Sequence, residues 1–216
     1  MNWYEVMTVD LPECEQDGLK VERFTIERND IHNFRLGARA TRPGTYTGLM
    51  LNGRLWMSDT DAEKRDHMNA THQMVSWRAK RVLINGLGLG MVLKAALTLD
   101  HVEHVDVVEI DERVIRLVGS HYAQDPRVHL HHADAYKQAS CWSKGTTWDV
   151  GWSDIWPDLC TDNLESMSRL RRSYGRRTNW HDCWGRELLV AIQRREKVED
   201  RNREIFRRLV LNRLDA

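Results

Sequence analysis

The chain has 216 residues, 41% of them hydrophobic and 30% charged, and a formal net charge of zero. That supports one sizeable core, and no apolar run approaches a membrane span, so an integral membrane helix and a disordered chain are both excluded. The charge is unevenly placed: residues 169–213 hold 14 Lys/Arg against 6 Asp/Glu, and the remainder carries the opposite excess.

The first 58 residues read as β-rich. The stretch at 19–27, LKVERFTIE, alternates, and TYTGLMLNGRLWMS at 45–58 contains Asn52-Gly53, a two-residue hairpin signal. The spacing predicts a helix over 58–77, capped by Ser58, Asp59 or Thr60, with Met68, Met74, Val75 and Trp77 on its buried side. From Arg81 the rhythm becomes strand, loop, helix. RVLIN, HVDVVEI, RVHLHHAD and WDVGWSDIW read as strands, with GMVLKAALTL and DERVIRLVGSHY as helices between them. Such alternation implies a parallel sheet with right-handed crossovers and a ligand site at the strand carboxyl ends. No strand is expected after Pro157; DNLESMSRLRRSYGRR and 185–214 read as helices, the latter with a broken stripe of Leu188, Leu189, Ile192, Ile205, Phe206 and Leu209. The expected division is a β-rich extension (1–58), a Rossmann-like α/β core (59–160) and a helical C-terminal segment (161–216).

Gly86, Gly88 and Gly90 separate the first core strand from its helix. Glycines there permit positive φ and let a ligand approach the backbone, so the loop predicts a nucleotide-like ligand. Glu109 ends the second strand nineteen residues after Gly90, where a carboxylate accepts both hydroxyls of a ribose. Asp134 and Asp154 end the third and fourth strands. The spacing is G-x-G-x-G, not the dinucleotide G-x-G-x-x-G, whose last glycine would fall at Met91, and no Lys-Ser/Thr follows for a phosphate-gripping loop.

The segments RVLINGLGLGMVLKAAL, VEHVDVVEIDERVIRLVGSHY, DPRVHLHHADAYK, WDVGWSDIWP and the preceding GLMLNGRLWMSDTDAEKRDHM resemble the spermidine synthase-like branch of the class I S-adenosylmethionine-dependent methyltransferase superfamily, over roughly residues 45–157. The resemblance implies a Rossmann-like core that binds an adenosyl sulfonium, with Glu109 on the ribose, Asp134 on the adenine amino group and Asp154 in the place of the acid that orients or deprotonates an attacking amine. The expected cofactor-binding set is Gly86, Leu87, Gly88, Gly90, Glu109, Ile110, Asp134, Ala135 and Asp154, with Trp56, Trp156 and Pro157 on the acceptor side and Asp154 as the catalytic residue. Several family positions differ. Gly88 stands for an Asp, Trp56 for a Gln, and Asp61-Ala62 with Arg65-Asp66-His67 for Asp-Glu with Tyr-His-Glu. Asp154-Ile155-Trp156-Pro157 is one residue shorter than the family's Asp-Ser-Ser-Asp-Pro. Because the polyamine-holding groups are largely absent, the expectation is a methyltransferase of unknown acceptor using S-adenosyl-L-methionine. The alternatives are an aminopropyltransferase using the decarboxylated form, and a non-catalytic adenosyl-nucleotide-binding or assembly module.

Other features point to bland roles. Six of the ten histidines fall within 101–132, but His129 and His131 share a strand face that His132 does not, and no metal set emerges. Asp59, Asp61, Asp66 and His67 read as capping and solvated groups before acceptor contacts. A small-molecule acceptor is the expected partner. The basic-aromatic run at 169–184 (RLRRSYGRR, then Trp180 and Trp184) admits nucleic acid, and 185–214 admits a homodimer. Cys14, Cys141, Cys160 and Cys183 form no Cys-x-x-Cys pair, and no export signal or membrane span is apparent, so the expected location is cytoplasmic.

Overall fold

A computed structural model describes residues 1–214. After a short helix α1 (Trp3–Val6), strands β1 (Cys14–Gln16), β2 (Leu19–Ile26), β3 (Gly44–Leu51) and β4 (Arg54–Ser58) form an antiparallel sheet in chain order. Asn52-Gly53 makes the expected hairpin between β3 and β4, with φ of 50° and 76°. Asp17-Gly18 makes a second one with the same left-handed pair. Between β2 and β3 lie α2 (Ile31–Arg35) and a single 3-10 turn, Gly37–Arg39.

The helix expected over 58–77 is two helices, α3 (Asp61–Asp66) and α4 (Met68–Ser76), broken at His67 with φ −95° and ψ −3°. Asp66, at the break, is held from two sides. Arg39 donates to both its carboxylate oxygens (3.2 and 2.9 Å) and Trp184 Nε1 to one (3.2 Å). Thr60 precedes α3 without a side-chain cap bond. Asp59 instead accepts from Val9 N (3.0 Å) and Thr47 N (2.7 Å), tying the N-terminal segment to β3. Met74 is buried as expected, whereas Val75 and Trp77 are exposed on the outer side of α4.

The second sheet is wholly parallel: β5 (Arg81–Asn85), β6 (His104–Glu109), β7 (Val128–His132), β8 (Trp148–Ser153) and β9 (Thr178–Cys183), in the order β7-β6-β5-β8-β9. Helix α5 (Met91–Leu97) joins β5 to β6. The next crossover runs through α6 (Glu112–Val114), a π turn (Ile115–Gly119) and α7 (Ser120–Tyr122). Helices α8 (Ala135–Cys141) and α9 (Asn163–Tyr174) follow β7 and β8, and α10 (Arg186–Leu214) ends the described chain. The order reverses at β5: its neighbours are β6 and β8, whose crossovers leave in opposite directions, opening a crevice at the carboxyl ends of the strands.

Strand β9 corrects the reading of 161–216 as purely helical. Its sequence, TNWHDC, lacks a run of β-branched apolar residues, because the inward positions hold His181 and Cys183. Pairing with β8 and the stack of Trp180 on Trp152 (6.2 Å, 3°) supply what local propensity does not. Three arginines of the basic run before it are engaged within the body, while Arg172 and Arg176 are exposed. Arg171 donates to His181 O, Arg177 to the carbonyls of Ser143, Thr146 and Trp142, and Arg169 lies over the Tyr136 ring. Tyr174 is fully buried, so it offers no stacking face to a nucleic acid. In α10, Leu189 is buried and Leu188 and Ile192 are exposed; the side chains of Ile205, Phe206 and Leu209 lie outside the described residues.

The histidine-rich strands converge on a buried carboxylate. Asp106 meets His104 Nε2 (2.7 Å), His131 Nε2 (2.8 Å) and Trp148 Nε1 (2.8 Å), linking β6, β7 and β8. Burial opposes its charge, but hydrogen bonds from His131, Trp148 and His104 hold its carboxyl below the ordinary range. Among the described residues no group of three or more His, Cys, Asp or Glu has metal-site geometry, and no helix is long and apolar enough to cross a membrane.

Asp106→Ala should therefore lower stability by roughly 3 kcal/mol, because the buried Trp148 indole and two half-buried histidines lose a charged acceptor. Removing Glu103, whose ion pair with Lys80 is exposed on both sides, should cost less than about 1 kcal/mol. Urea denaturation midpoints of the two variants test the contrast.

Candidate active site

A cavity of about 640 Å³ lies over the carboxyl ends of β5, β6, β7 and β8 and is closed on the other side by β4 and the α3–α4 junction. Of the expected site residues, Gly86, Leu87, Gly88, Glu109, Ile110, Asp134, Ala135, Asp154, Trp56, Trp156 and Pro157 all line it. Gly90 does not; it caps α5 with φ 77°, and a Cβ there would meet the Tyr122 ring at 2.5 Å.

The glycine loop is held from within. Gly86 N donates to Val108 O (2.8 Å), and Leu87 N donates to Glu109 Oε2 (2.8 Å) while Asp111 N donates to Glu109 Oε1 (2.8 Å). Glu109 thus clamps the β5 loop to the β6 loop. Each oxygen keeps further lone-pair capacity for a ligand hydroxyl. The glycines themselves face protein. At Gly86, with φ 89°, a Cβ would lie 1.9 Å from the Asp154 carbonyl oxygen; at Gly88, with φ 51°, it would lie 2.2 Å from Met57 Sδ. At Gly86 the bare backbone is required by the Asp154 carbonyl that follows β8; at Gly88 the positive φ favours glycine, and the neighbour is the flexible end of Met57.

Asp134 starts α8, its Oδ1 accepting from Tyr136 N (2.8 Å). Asp154 follows β8 directly, its N–H donating to Asn85 O (2.8 Å). Its side chain is 21% exposed. Burial, reinforced by Glu63, Asp66 and Glu109 nearby, pushes its carboxyl up to about 8. His67, brought inward by the helix break, places Nε2 3.7 Å from Asp154 Oδ2. Burial drives its imidazole down to about 4, partly offset by Asp66. Glu63 also lines the cavity; its two oxygens accept from Ser58 N and Ser58 Oγ (2.9 Å each), and burial raises its carboxyl.

Arg39, Met57, Glu63, His67 and Trp184 complete the wall facing the strand ends. His67 carries only the sequence signal of a capping or solvated group before an acceptor contact. Arg39 and Trp184 carry none, since they reach the site from β2–β3 and from the turn after β9 only through their contacts with Asp66.

Comparison with known proteins fits this geometry. Residues 64–163 match the spermine/spermidine synthase domain. Over that stretch the chain is similar to spermidine synthases. It is 37% identical over 92 residues to the polyamine aminopropyltransferase of Prochlorococcus marinus (strain MIT 9313), covering 38% of this chain and 32% of that one. It is 34% identical over 110 residues to polyamine aminopropyltransferase 1 of Streptomyces coelicolor (strain ATCC BAA-471 / A3(2) / M145), covering 44% and 20%. The matches thus span about a third or less of these two relatives. The crystal structure of spermidine synthase from Thermotoga maritima superposes with a TM-score of 0.50 at 19% identity, covering 77% of this chain and 53% of that chain, which establishes the shared Rossmann-like fold.

These findings correct the expectation of a methyltransferase. The relatives are aminopropyltransferases, so S-adenosyl-L-methionine as the cofactor falls with it. The expectation rested on family polyamine residues missing from the sequence at Trp56, Ala62 and Arg65. A further cavity acid, Glu63, lies at a position that comparison did not weigh.

Two outcomes follow from the site's construction. Gly86→Ala should lower stability by about 3 kcal/mol or more, since strain at positive φ adds to collision with the Asp154 backbone; Gly145→Ala, with φ 86° and open space around it, pays for φ alone. Thermal denaturation of both compares the terms. Stability should also peak near pH 6.5. Asp154, raised to about 8, binds a proton in the native state that the unfolded chain lacks between about pH 4 and 8, so acidification from 8 stabilises. Below about 6.5, His67 (about 4) and His181 (about 3) stay neutral in the native state while unfolded histidines protonate, and two such groups outweigh one. A urea midpoint that climbs steadily from pH 5 to 8 would contradict this account.

Proposed function

We propose that the chain is an aminopropyltransferase: a primary amine of a polyamine attacks the propyl carbon bound to the sulfonium of decarboxylated S-adenosylmethionine. The observation that carries this reading is the charge of the cavity. Glu63, Glu109, Asp134 and Asp154 line it, and its one strongly basic side chain among the described residues, Arg39, is already paired with Asp66. A substrate bearing a free carboxylate would meet four carboxyl groups and no unpaired guanidinium. An aminopropyl sulfonium and a polyammonium acceptor carry the opposite sign.

In this reading Glu109 holds the ribose hydroxyls with its spare acceptor capacity and Asp134 takes the adenine amino group, with Gly86, Leu87, Gly88, Ile110 and Ala135 bounding the adenosyl half. Trp56, Trp156 and Pro157 wall the acceptor half, where aromatic faces favour cations. The acceptor arrives as an ammonium and must lose one proton. The Asp154 carboxylate takes it, the nitrogen lone pair forms the new N–C bond, and the C–S bond breaks with its electrons passing to sulfur, leaving a neutral thioether. The sulfonium carbon is already electrophilic, so the protein's main task is alignment, for which about 7–11 kcal/mol is available in well-oriented pairs.

Incubation with decarboxylated S-adenosylmethionine and a series of diamines and triamines should yield the thioether nucleoside and an extended polyamine; absence of both products with every acceptor would refute the assignment. Because Asp154 must be ionised, kcat/KM for the amine should rise with pH through about 8. Asp154→Asn should lower kcat by roughly 100-fold or more with nucleotide affinity nearly unchanged. Glu109→Ala should weaken nucleotide binding by calorimetry.

A further inference from the structure

We propose that His67 is the positioning residue for Asp154: its Nε2 holds one carboxylate oxygen, leaving the other to the incoming amine. The inference rests on the aminopropyl-transfer reading and adds to it a residue that the sequence reads as a capping or solvated group before an acceptor contact. Three observations on this side chain converge. It lines the cavity and is 3% exposed. Its Nε2 is 3.7 Å from Asp154 Oδ2. Its Nδ1 is buried with no hydrogen-bond partner. The one nitrogen of this ring with a polar neighbour is therefore the one directed at the Asp154 carboxyl group.

The backbone explains how it arrives there. The α3–α4 break at His67 turns this one residue out of the helical register, and the Trp152 ring, edge-on at 6.1 Å and 82°, fixes the plane of the imidazole. The separation exceeds hydrogen-bond length, and catalytic contacts of this kind shorten as the reacting complex forms.

The imidazole serves Asp154 in either protonation state without becoming charged. Facing a carboxylic acid, Nε2 accepts its proton and Nδ1 carries the ring hydrogen; facing a carboxylate, Nε2 carries the hydrogen and donates it. Donation favours the ionised acid. Loss of His67 therefore raises the pH at which Asp154 becomes a base. The other groups facing the pair are Glu63 and Asp66 from α3, Arg39 from the 3-10 turn, Glu109 from β6 and Cys183 from β9. The acids oppose ionisation of Asp154 with or without His67, and Arg39 is committed to Asp66, so none of them supplies the donor that the imidazole provides.

The test is the pH profile of kcat/KM for the amine with the full chain and decarboxylated S-adenosylmethionine, in wild type, His67→Leu, His67→Gln and His67→Asn. Glutamine keeps an N–H donor near the Nε2 position; asparagine places it near Nδ1. His67→Leu and His67→Asn should move the rising limb up by about one pH unit and lower kcat at pH 7.5 by roughly tenfold, and His67→Gln should restore the limb. Should leucine prevent folding, as circular dichroism would reveal, the asparagine–glutamine pair decides. Superimposable limbs in all folded variants, or a uniform loss of rate without displacement, would overturn the role of His67 while leaving the reaction assignment standing. No turnover by the wild type would instead remove the reaction assignment itself.

Discussion

The clamp made by the Glu109 carboxylate is the constraint on which the site depends. Two backbone N–H groups, from Leu87 and Asp111, meet one side chain that is 7% exposed, and so the loops after β5 and β6 are held at a fixed separation. Together with the Gly86 N–H on the Val108 carbonyl, the clamp joins the two loops that form the floor of the cavity, and the remaining walls are set against that floor. A carboxylate at this place is a scaffold that keeps acceptor capacity facing the cavity, because each oxygen spends only part of it on the backbone.

The opposite wall is assembled from segments far apart in the chain. Asp66 at the end of α3 gathers Arg39 from the 3-10 turn and Trp184 from the turn after β9. Asp59 in turn fixes β3 and the N-terminal segment to the same region. The antiparallel sheet therefore contributes Trp56 and Met57 to the cavity without contributing a strand to the parallel sheet. The cavity lies between the two sheets, and its polar groups come mainly from loops and helix ends, where backbone geometry is free to aim them.

Much of this was legible in the sequence. Strand ends carry chemistry by their position in the repeat, so Gly86, Glu109, Asp134 and Asp154 could be located by counting, and their convergence follows from parallel topology. The Asn52-Gly53 hairpin was equally plain. What escaped is what depends on distance through space. Strand β9 has inward-facing His181 and Cys183 where a pattern reading wants valine or isoleucine, and only β8 beside it makes that acceptable. The helix break at His67 has no proline or glycine to announce it; Asp66 is drawn sideways by partners 27 and 118 residues away. The missing polyamine residues pointed toward a methyl donor because a comparison position by position does not see Glu63, which brings a carboxyl group to the acceptor side from a different site on the helix.

Met57 lies against Gly88, its sulfur accepting from Leu89 N at 3.2 Å. The hollow over the loop is thus filled by a flexible thioether. A ligand reaching that backbone has to rotate an unbranched side chain aside, an inexpensive motion for methionine. The exchange puts a ligand over backbone that a side chain already covers and dries little new surface at that spot. The heat-capacity change on nucleotide association should accordingly be smaller than the contact area alone implies.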